Sequence, residues 1–200
     1  MIFKKEALGK LEATCNQCKA CELNNTRHNA VFADGNPETA SVVLIGEAPG
    51  ENEDLQGIPF VGRAGKLLNE FLAASGLSRE KDLYIINPLK CRPPKNRPPT
   101  EAEKEACSDF LYSQIEIIDP KIILLCGATA LKSFYKGKSI ISKIRGEIFE
   151  IEIKGKKYLA MPIFHPSYLL RNHSIAEGSP RDLMLKDLKK IYFTIKTLDR

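Results

Sequence analysis

The clearest pattern along the chain is a series of four short apolar runs separated by longer amphipathic stretches. The runs are residues 41–46, 83–87, 121–127 and 158–164. Short, nearly continuous apolar segments of this kind are typical of buried parallel strands. A hairpin-like turn around Lys154-Gly155-Lys156 precedes the last run. Pro162 lies inside that run, so we expect the fourth strand to be irregular or to lie at the edge of the sheet.

Amphipathic patterns between and around these runs predict helices. The predicted helices are a polar lead at 4–14, a helix whose apolar face spans residues 67–72 and which ends at Gly76, a helix beginning after Thr100, and a closing helix at 182–198. Thr100 and Glu103 have the spacing of a capping box. Because strands and helices alternate, we expect an α/β fold with helices on both faces of a parallel sheet, and one domain over residues 1–200.

Polar residues whose side chains could bind a ligand or take part in catalysis follow three of the predicted strands. Glu47 follows the first run, Asn87 ends the second, and His165 follows the fourth. Ligands of open parallel sheets bind at the carboxyl ends of the strands. The pattern therefore predicts that a carboxylate, a carboxamide and an imidazole converge on one cleft.

Composition narrows the choice of compartment and partner only slightly. Thirty Lys and Arg residues against 25 Asp and Glu residues give a net charge of +5, which favours a polyanionic partner without identifying one. The first residues are charged, and no apolar run approaches the length of a membrane span. We therefore expect a cytoplasmic protein with no membrane association, and we expect a monomer.

The six cysteines are unevenly distributed. Cys15, Cys18 and Cys21 form two overlapping C-x2-C pairs, whereas Cys91 and Cys107 lie far downstream. Thiols stay reduced in the cytosol, so clustered cysteines indicate metal binding before disulfides. Their spacing suits either an iron-sulfur cluster or zinc. The sixth cysteine, Cys126, lies inside an apolar run and is expected to be a core residue.

Five motifs follow one another in a fixed order. They are Cys-x2-Cys-Glu-Leu-x2-Thr-Arg at 18–27, Gly-Glu-Ala-Pro-Gly at 46–50, Pro-Phe-Val-Gly-Arg-Ala-Gly at 59–65, Lys-Cys-Arg-Pro-Pro-x-Asn-Arg at 90–97, and His-Pro-Ser-Tyr-Leu-Leu at 165–170. Together they resemble the iron-sulfur, family 4 uracil-DNA glycosylases over about residues 15–190. The resemblance implies a three-layer α/β/α sandwich with a central four-stranded parallel sheet. It also implies a monofunctional enzyme that hydrolyses the uracil-deoxyribose bond in DNA and leaves an abasic site for base excision repair.

The resemblance further implies a 4Fe-4S cluster. Its ligands would be Cys18, Cys21, Cys91 and Cys107, because the Glu-Leu-x2-Thr-Arg that follows the second cysteine of the family follows Cys21 here. Cys15 is then left over. A register that uses Cys15 and Cys18 instead is an open alternative, since the three cysteines overlap in pattern.

Matching the motifs gives each step of base release a candidate residue. Phe60 offers a ring on which uracil stacks, and the Asn87 amide reads its O4 and N3-H edge. Gly46 and Ala48 are expected to complete the base-binding site. Glu47 would orient or deprotonate the attacking water, and His165 would donate to uracil O2 as negative charge accumulates there. No lysine stands out as a Schiff-base nucleophile, so strand cleavage is not expected.

Two segments are expected to contact DNA. Arg92, Lys95 and Arg97 lie on a stiff proline-rich loop between two of the cluster cysteines. The stretch 167–171 resembles the DNA-penetrating loop of the family. In it, Ser167 and Arg171 would contact the strand, while Leu169 or Leu170 would occupy the space left by the flipped nucleotide.

Two other functions remain open at this stage. One is an iron-sulfur DNA-binding module without hydrolytic activity, against which the set of Glu47, Asn87 and His165 argues, since binding alone needs no such group. The other is a glycosylase for another deaminated base, such as hypoxanthine, which requires a larger pocket. No sequence feature identifies a protein partner such as a sliding clamp.

Overall fold

The computed structural model of the chain describes residues 3–135, 137 and 140–198. Six strands form one sheet: β1 (Asp34–Gly35), β2 (Val42–Ile45), β3 (Leu83–Ile86), β4 (Ile122–Cys126), β5 (Phe149–Ile153) and β6 (Lys156–Ile163). Their order across the sheet is β1-β3-β2-β4-β6-β5. The four inner strands are parallel, and β1 and β5 pair antiparallel at the two edges. All four predicted strands and the predicted hairpin are confirmed.

The helices connect and cover the strands. They are α1 (Lys4–Asn16), α2 (Glu51–Gln56), α3 (Arg63–Ser75), α4 (Arg79–Asp82), α5 (Glu101–Ile118), α6 (Ala128–Phe134), α7 (Ile141–Ile144), α8 (Pro166–Leu169) and α9 (Pro180–Leu198), with 3-10 turns at Glu22–Asn25 and Pro94–Asn96. The predicted capping box of Thr100 and Glu103 opens α5. Gly76 ends α3 in the left-handed conformation, as expected. No helix in the described part of the chain is long and apolar enough to cross a membrane.

Alternation along the buried strands creates two separate cores, one on each face of the sheet. Val43 and Ile45 of β2 pack into a core with α1, α5 and α6, whereas Val42 and Leu44 pack into a core with α3 and α9. Successive side chains of a strand point to opposite faces, so a strand buried on both faces must be apolar throughout. The result is the expected α/β/α sandwich.

The sequence predicted a fourth strand that is either irregular or at an edge, and the edge alternative is wrong because β6 is an inner strand between β4 and β5. Proline is nevertheless accommodated for a local reason. The pairing with β5 ends at Phe149 opposite Ala160, so Pro162 lies beyond the reach of the outer strand. No ladder bond from β5 is lost there, and the Pro162 carbonyl accepts a hydrogen bond from the Gly146 amide instead.

Candidate active site and cysteine site

A cavity of about 360 Å³ opens at the carboxyl ends of the parallel strands. Its walls come from the segments that follow β2, β3 and β6 and from the loop ahead of α3. The lining residues include Glu47, Ala48, Glu53, Phe60, Asn87, Asn96, Arg97, His165 and Ser167. The expectation that the carboxylate, carboxamide and imidazole converge is therefore met by the fold, and this cavity is the candidate active site.

The Asn87 side chain is the most deeply buried polar group of the cavity. Asn87 is only 3% exposed, and its Oδ1 has no hydrogen-bond partner among the described residues. Gly46 passes so close to this oxygen and to the Phe60 ring that a Cβ at position 46 would overlap both. A buried acceptor without a partner is costly, and here it faces a cavity of ligand size. Gly46 is thus needed for close approach, which is a steric contribution to the pocket.

The Phe60 ring is held in the cavity by a constrained loop. Its backbone has φ of 53°, a left-handed conformation that is rare for an aromatic residue. The Arg79 guanidinium fixes the loop by donating to the carbonyls of Pro59 at 2.6 Å and Phe60 at 3.0 Å. The same guanidinium also donates to Asp34 Oδ2 at 2.7 Å, which ties the loop to the edge strand β1.

Glu53 supports the same loop from the other side. Its Oε1 accepts hydrogen bonds from the amides of Val61 at 2.9 Å and Gly62 at 2.8 Å, and its side chain lines the cavity. The sequence prediction missed both Glu53 and Arg79. Glu53 belongs to the acidic first turn of α2, a position at which carboxylates are common. Arg79 lies in a charged segment that is typical of an exposed surface.

His165 presents a neutral imidazole to the cavity. Its Nδ1 accepts from the Ser167 amide at 3.2 Å and is 2.7 Å from Ser167 Oγ. Because an amide only donates, Nδ1 carries no proton and Nε2 becomes the N-H donor of the ring. Burial lowers the pKa of His165, an effect that the nearby carboxylates of Glu47 and Glu53 oppose without reversing it. The ring lies 5.8 Å from the Phe60 ring, centroid to centroid.

The proline-rich loop borders the cavity, and its three cations differ in their surroundings. Arg97 donates to both carboxylate oxygens of Glu103, at 2.5 and 2.9 Å, and Arg92 donates to Asn96 Oδ1 at 2.7 Å. Lys95 is exposed, with φ of 54° at the tip of the loop. Lys95 is therefore the cation of this loop that is most accessible to an external partner.

The segment after His165 divides into a buried and an exposed part. Leu169 is fully buried in the core beneath α8, whereas Leu170 is half-buried and Arg171 is exposed. Arg181 donates to the carbonyls of Leu169 and Asn172, which fixes the turn that presents them. Of the two leucines that were alternatives for entering DNA, only Leu170 is partly exposed.

A second, smaller cavity of about 20 Å³ is lined by five of the six cysteines. They are Cys15, Cys18, Cys21, Cys91 and Cys107. The sixth, Cys126, is buried in β4 as predicted. Within the described ranges, no group of three or more His, Cys, Asp or Glu side chains is close enough together to hold a metal ion. The five thiols surround the small cavity, and the two cysteine registers considered above both remain compatible with this arrangement.

Two cations accompany these thiols. Arg27 donates to Cys91 Sγ at 3.1 Å and to the Cys18 carbonyl at 3.3 Å. Lys90 is 1% exposed, and burial lowers its pKa to about 8 while the neighbouring thiols act in the opposite direction. Burial also raises the pKa of Cys15 to about 12. Lys90 was missed because a lysine between Leu89 and Cys91 reads as a surface charge.

Comparison with known proteins finds a matching family and several similar sequences. A sequence model of the Uracil DNA glycosylase superfamily matches residues 32–189. A type-4 uracil-DNA glycosylase of Thermotoga maritima is 47% identical over 197 residues, covering 98% of each chain. Similar proteins of the same description occur in Archaeoglobus fulgidus, 44% identical over 88% of this chain and 90% of the relative, and in Sulfurisphaera tokodaii, 41% identical over 93% and 84%.

Proposed function

The chain belongs to the uracil DNA glycosylase superfamily, among its type-4 members, and from that premise we propose that it hydrolyses the bond between uracil and deoxyribose in DNA. The observation that carries the proposal is the composition of the 360 Å³ cavity. It combines an aromatic ring, a buried amide with a free acceptor, a carboxylate and a neutral imidazole. These four groups can bind the base, place the water and stabilise the leaving group, and base release without strand cleavage needs no nucleophilic lysine.

Uracil is recognised in this proposal by stacking and by complementary hydrogen bonds. The base enters the cavity from a flipped nucleotide and stacks on Phe60. Its N3-H donates to Asn87 Oδ1, the acceptor that otherwise lacks a partner, and its O4 accepts from Nδ2. Cytosine has an acceptor at N3 and an amine at C4, so the same amide orientation rejects it. Ala48 lines the cavity wall against which the base packs, and Gly46 contributes indirectly by allowing Asn87 and Phe60 to approach closely.

Bond cleavage is assigned to Glu47 and His165. The Nε2-H of His165 donates to uracil O2, where negative charge accumulates as the bond breaks, and a neutral donor in a buried site suffices for this. Glu47 stabilises the cationic sugar and orients or deprotonates the attacking water. The Ser167 amide supports the step by fixing the His165 tautomer at 3.2 Å.

DNA binding is assigned to the two segments that border the cavity. Lys95, together with Arg92 and Arg97, contacts phosphates from the proline-rich loop, and Ser167 and Arg171 contact the strand from the other side. Because Leu169 is fully buried, we assign the wedge role to Leu170 alone. This choice refines the sequence prediction, which left both leucines open.

The donor set of the small cavity fits an iron-sulfur cluster. Thiolates are the ligands of such clusters, and the surrounding cations Arg27 and Lys90 suit an anionic thiolate group. We assign Cys18, Cys21, Cys91 and Cys107 as the ligands of a 4Fe-4S cluster, with Cys15 as a spare. When bound, the cluster would supply covalent anchoring for the proline-rich loop. Arg92 to Arg97 lie between two of its cysteines, so anchoring them orders a DNA-contacting segment.

Release of uracil from a single-uracil oligonucleotide tests the proposal. Purified protein, shown to contain iron, is incubated under single-turnover conditions and the abasic product is revealed with alkali. Glu47→Gln should lower the rate by about a hundredfold or more, whereas Glu70→Gln, an exposed carboxylate on α3, should not change it. Parallel oligonucleotides carry hypoxanthine or a thymine mismatch. If iron-loaded wild type binds DNA but releases no base, the protein is a binding module, and preferred release of hypoxanthine would indicate the purine-specific alternative.

A further inference from the structure

Lys90 is a fully buried ammonium group that lies between the two cavities. It follows Asn87 by three residues, and its Nζ donates to the Asn87 carbonyl at 2.7 Å and to Gln114 Oε1 at 2.5 Å. Both acceptors are neutral. Lys90 forms no ion pair with a carboxylate in the part of the chain that the structure describes. Burying an ammonium is strongly unfavourable unless a negative charge compensates it.

The compensating charge is to be found on the cysteine side. Lys90 lines the small cavity together with Cys15, Cys107 and Cys91, the next residue in the chain, and the thiols of Cys107 and Cys15 oppose the effect of burial on the Lys90 pKa. Four thiolates that hold an iron-sulfur cluster form an anionic group. With such a cluster bound, the Lys90 ammonium would have a negative group on one side and, on the other, the backbone of Asn87, the residue that faces the base.

Gln114 completes this connection from α5. Its Oε1 accepts from Lys90, while its Nε2 donates to the Phe32 carbonyl at 3.0 Å. The ring of Phe32 lies 5.9 Å from Lys90 Nζ, within the range of a cation-π contact. The Lys90 ammonium is therefore held by contacts on several sides. It cannot move away from the Asn87 carbonyl without breaking its contacts with Gln114 and Phe32.

We propose that Lys90 is a positioning residue that joins the cysteine site to the base pocket. Its ammonium is the counter-ion of the anionic cluster held by the cysteines, and its hydrogen bond to the Asn87 carbonyl fixes the amide that reads uracil. The proposal rests on the proposed function, because it assumes both the cluster and the role of Asn87. It predicts that one substitution changes a property of the cluster and the affinity for the base together.

Two substitutions at Lys90 separate the two roles. Lys90→Met removes the charge and the donor, whereas Lys90→Gln removes the charge but keeps an N-H donor for the Asn87 carbonyl. Removing a buried positive charge disfavours the more negative, reduced cluster, so both variants should have a lower reduction potential than wild type. Only Lys90→Met should also raise KM for a uracil oligonucleotide and Ki for free uracil, by about tenfold, through loss of one charged hydrogen bond.

Two further variants serve as controls. Lys4→Met removes another lysine that donates to a backbone carbonyl, that of Ile118 at 2.6 Å, and should change neither potential nor KM. Gln114→Met removes the side-chain acceptor of Lys90 but keeps the charge, and should leave the potential unchanged. Iron and labile sulfide per chain, and thermal unfolding, are measured for every variant, so that the comparison is made on folded protein of known cluster content.

The outcomes distinguish this inference from the proposed function. If the wild-type protein contains no iron or releases no uracil, the proposed function is contradicted before any Lys90 variant is compared. If wild type is loaded and active while both Lys90 variants keep its potential and its KM, the inference is overturned. Loss of thermal stability in Lys90→Met and Lys90→Gln at unchanged potential would also overturn it, because Lys90 would then be a structural residue only.

Discussion

At the scale of single residues, the orientation of the Asn87 amide carries the choice of base. Asn87→Asp replaces the Nδ2 donor with a second acceptor, which repels uracil O4 while the rest of the pocket is unchanged. We expect single-turnover uracil release to fall by about a hundredfold, since a buried polar pair becomes two facing acceptors. Asn25→Asp, an exposed position on the 3-10 turn after Cys21, is the matched control. Unchanged release by Asn87→Asp would remove the amide from base recognition.

The protonation state of His165 gives a prediction about pH. Burial lowers its pKa below the usual 6.5, so the folded protein keeps the ring neutral to lower pH than the unfolded chain does. Its contribution to stability is therefore complete above pH 6.5 and is lost as pH falls below that value. Protonation would also set Nδ1-H against the Ser167 amide. We expect single-turnover release to be flat from about pH 8 to 6.5 and to decline only at lower pH, measured beside His173→Gln.

A rate that falls in proportion to histidine protonation centred at or above pH 6.5 would contradict the buried, neutral ring. His173 is a suitable control because it is exposed and does not line the cavity. Its replacement should leave the whole profile unchanged. A changed pH profile in His173→Gln would instead mean that the rate of release depends on the loop before α9.

Residues differ in how readily sequence predicts that they lie at the cavity. Glu47, Asn87 and His165 were predictable because each follows a buried strand, and strand ends of a parallel sheet meet at one edge. Glu53, Arg79 and Lys90 were not, because a charged residue in a polar segment is normally solvated. Their places in the two sites depend on contacts with residues up to 45 positions away, such as that of Arg79 with Asp34. Those contacts exist only after folding.

At the scale of elements, Arg79 at the start of α4 holds the loop that carries Phe60. Arg79→Met removes donors from two backbone carbonyls while keeping the aliphatic stem. The left-handed Phe60 backbone then loses its support, so we expect KM to rise by about tenfold with a smaller change in kcat. Steady-state kinetics on a uracil oligonucleotide measure this split. Lys81→Met, an exposed cation on the same short helix, is the control, and equal KM values in wild type and Arg79→Met would contradict the assignment.

The start of α5 supports both the proline-rich loop and Cys107. Hydrogen bonds from Arg97 lower the pKa of Glu103 to about 2 from its usual 4.5, with further help from the Thr100 amide and hydroxyl. A lowered carboxyl pKa stabilises the fold above pH 4.5, and this stabilisation disappears as pH falls towards 2. Glu103→Gln should therefore lower the free energy of unfolding by about 1 to 2 kcal/mol at pH 7 and by much less near pH 2.

Urea unfolding at several pH values measures this difference. Glu105→Gln is the matched control, since it lies exposed on the same helix outside the capping box. A stability difference between wild type and Glu103→Gln that stays constant from pH 7 to pH 2 would exclude the ion pair as its source. The capping box was predictable from sequence, because Thr100 and Glu103 are three residues apart, but the contribution of Arg97 was not.

At the scale of the whole molecule, the sequence predicted the α/β/α sandwich. It did not predict which strands lie inside the sheet or which of two adjacent leucines is buried. Apolar runs predicted the four inner strands because both faces of a parallel sheet are covered. The two edge strands lack such runs. An edge position was one of two alternatives for β6, because the sequence does not show that its pairing with β5 ends before Pro162. Likewise Leu169 and Leu170 are adjacent and chemically identical, and only the packing of α8 makes one core and the other surface.

The positions of the cysteines in the whole molecule relate them to DNA binding. Cys91 and Cys107 flank the proline-rich loop, while Cys18 and Cys21 come from the turn after α1, so a cluster would join segments distant in sequence around one DNA-contacting loop. We expect Cys21→Ser to lose iron and to bind uracil DNA less tightly, with a smaller effect on cleavage of bound substrate. Cys15→Ser should keep iron, since Cys15 is the spare thiol of the proposed ligand set. Iron content, DNA affinity and single-turnover rates at saturating enzyme are the measurements.

The expected iron contents and the expected loss of DNA affinity can be contradicted separately. Full iron in Cys21→Ser together with loss in Cys15→Ser would establish the alternative register, in which Cys15 and Cys18 are ligands. Loss of cleavage of bound substrate before loss of affinity would mean that the cluster acts on the base pocket rather than on the DNA-contacting loop. Lys90 offers a route for that effect, since its ammonium contacts the Asn87 carbonyl at 2.7 Å. The order in which affinity and cleavage decline therefore tells whether the cysteine site chiefly anchors the loop or chiefly positions the base.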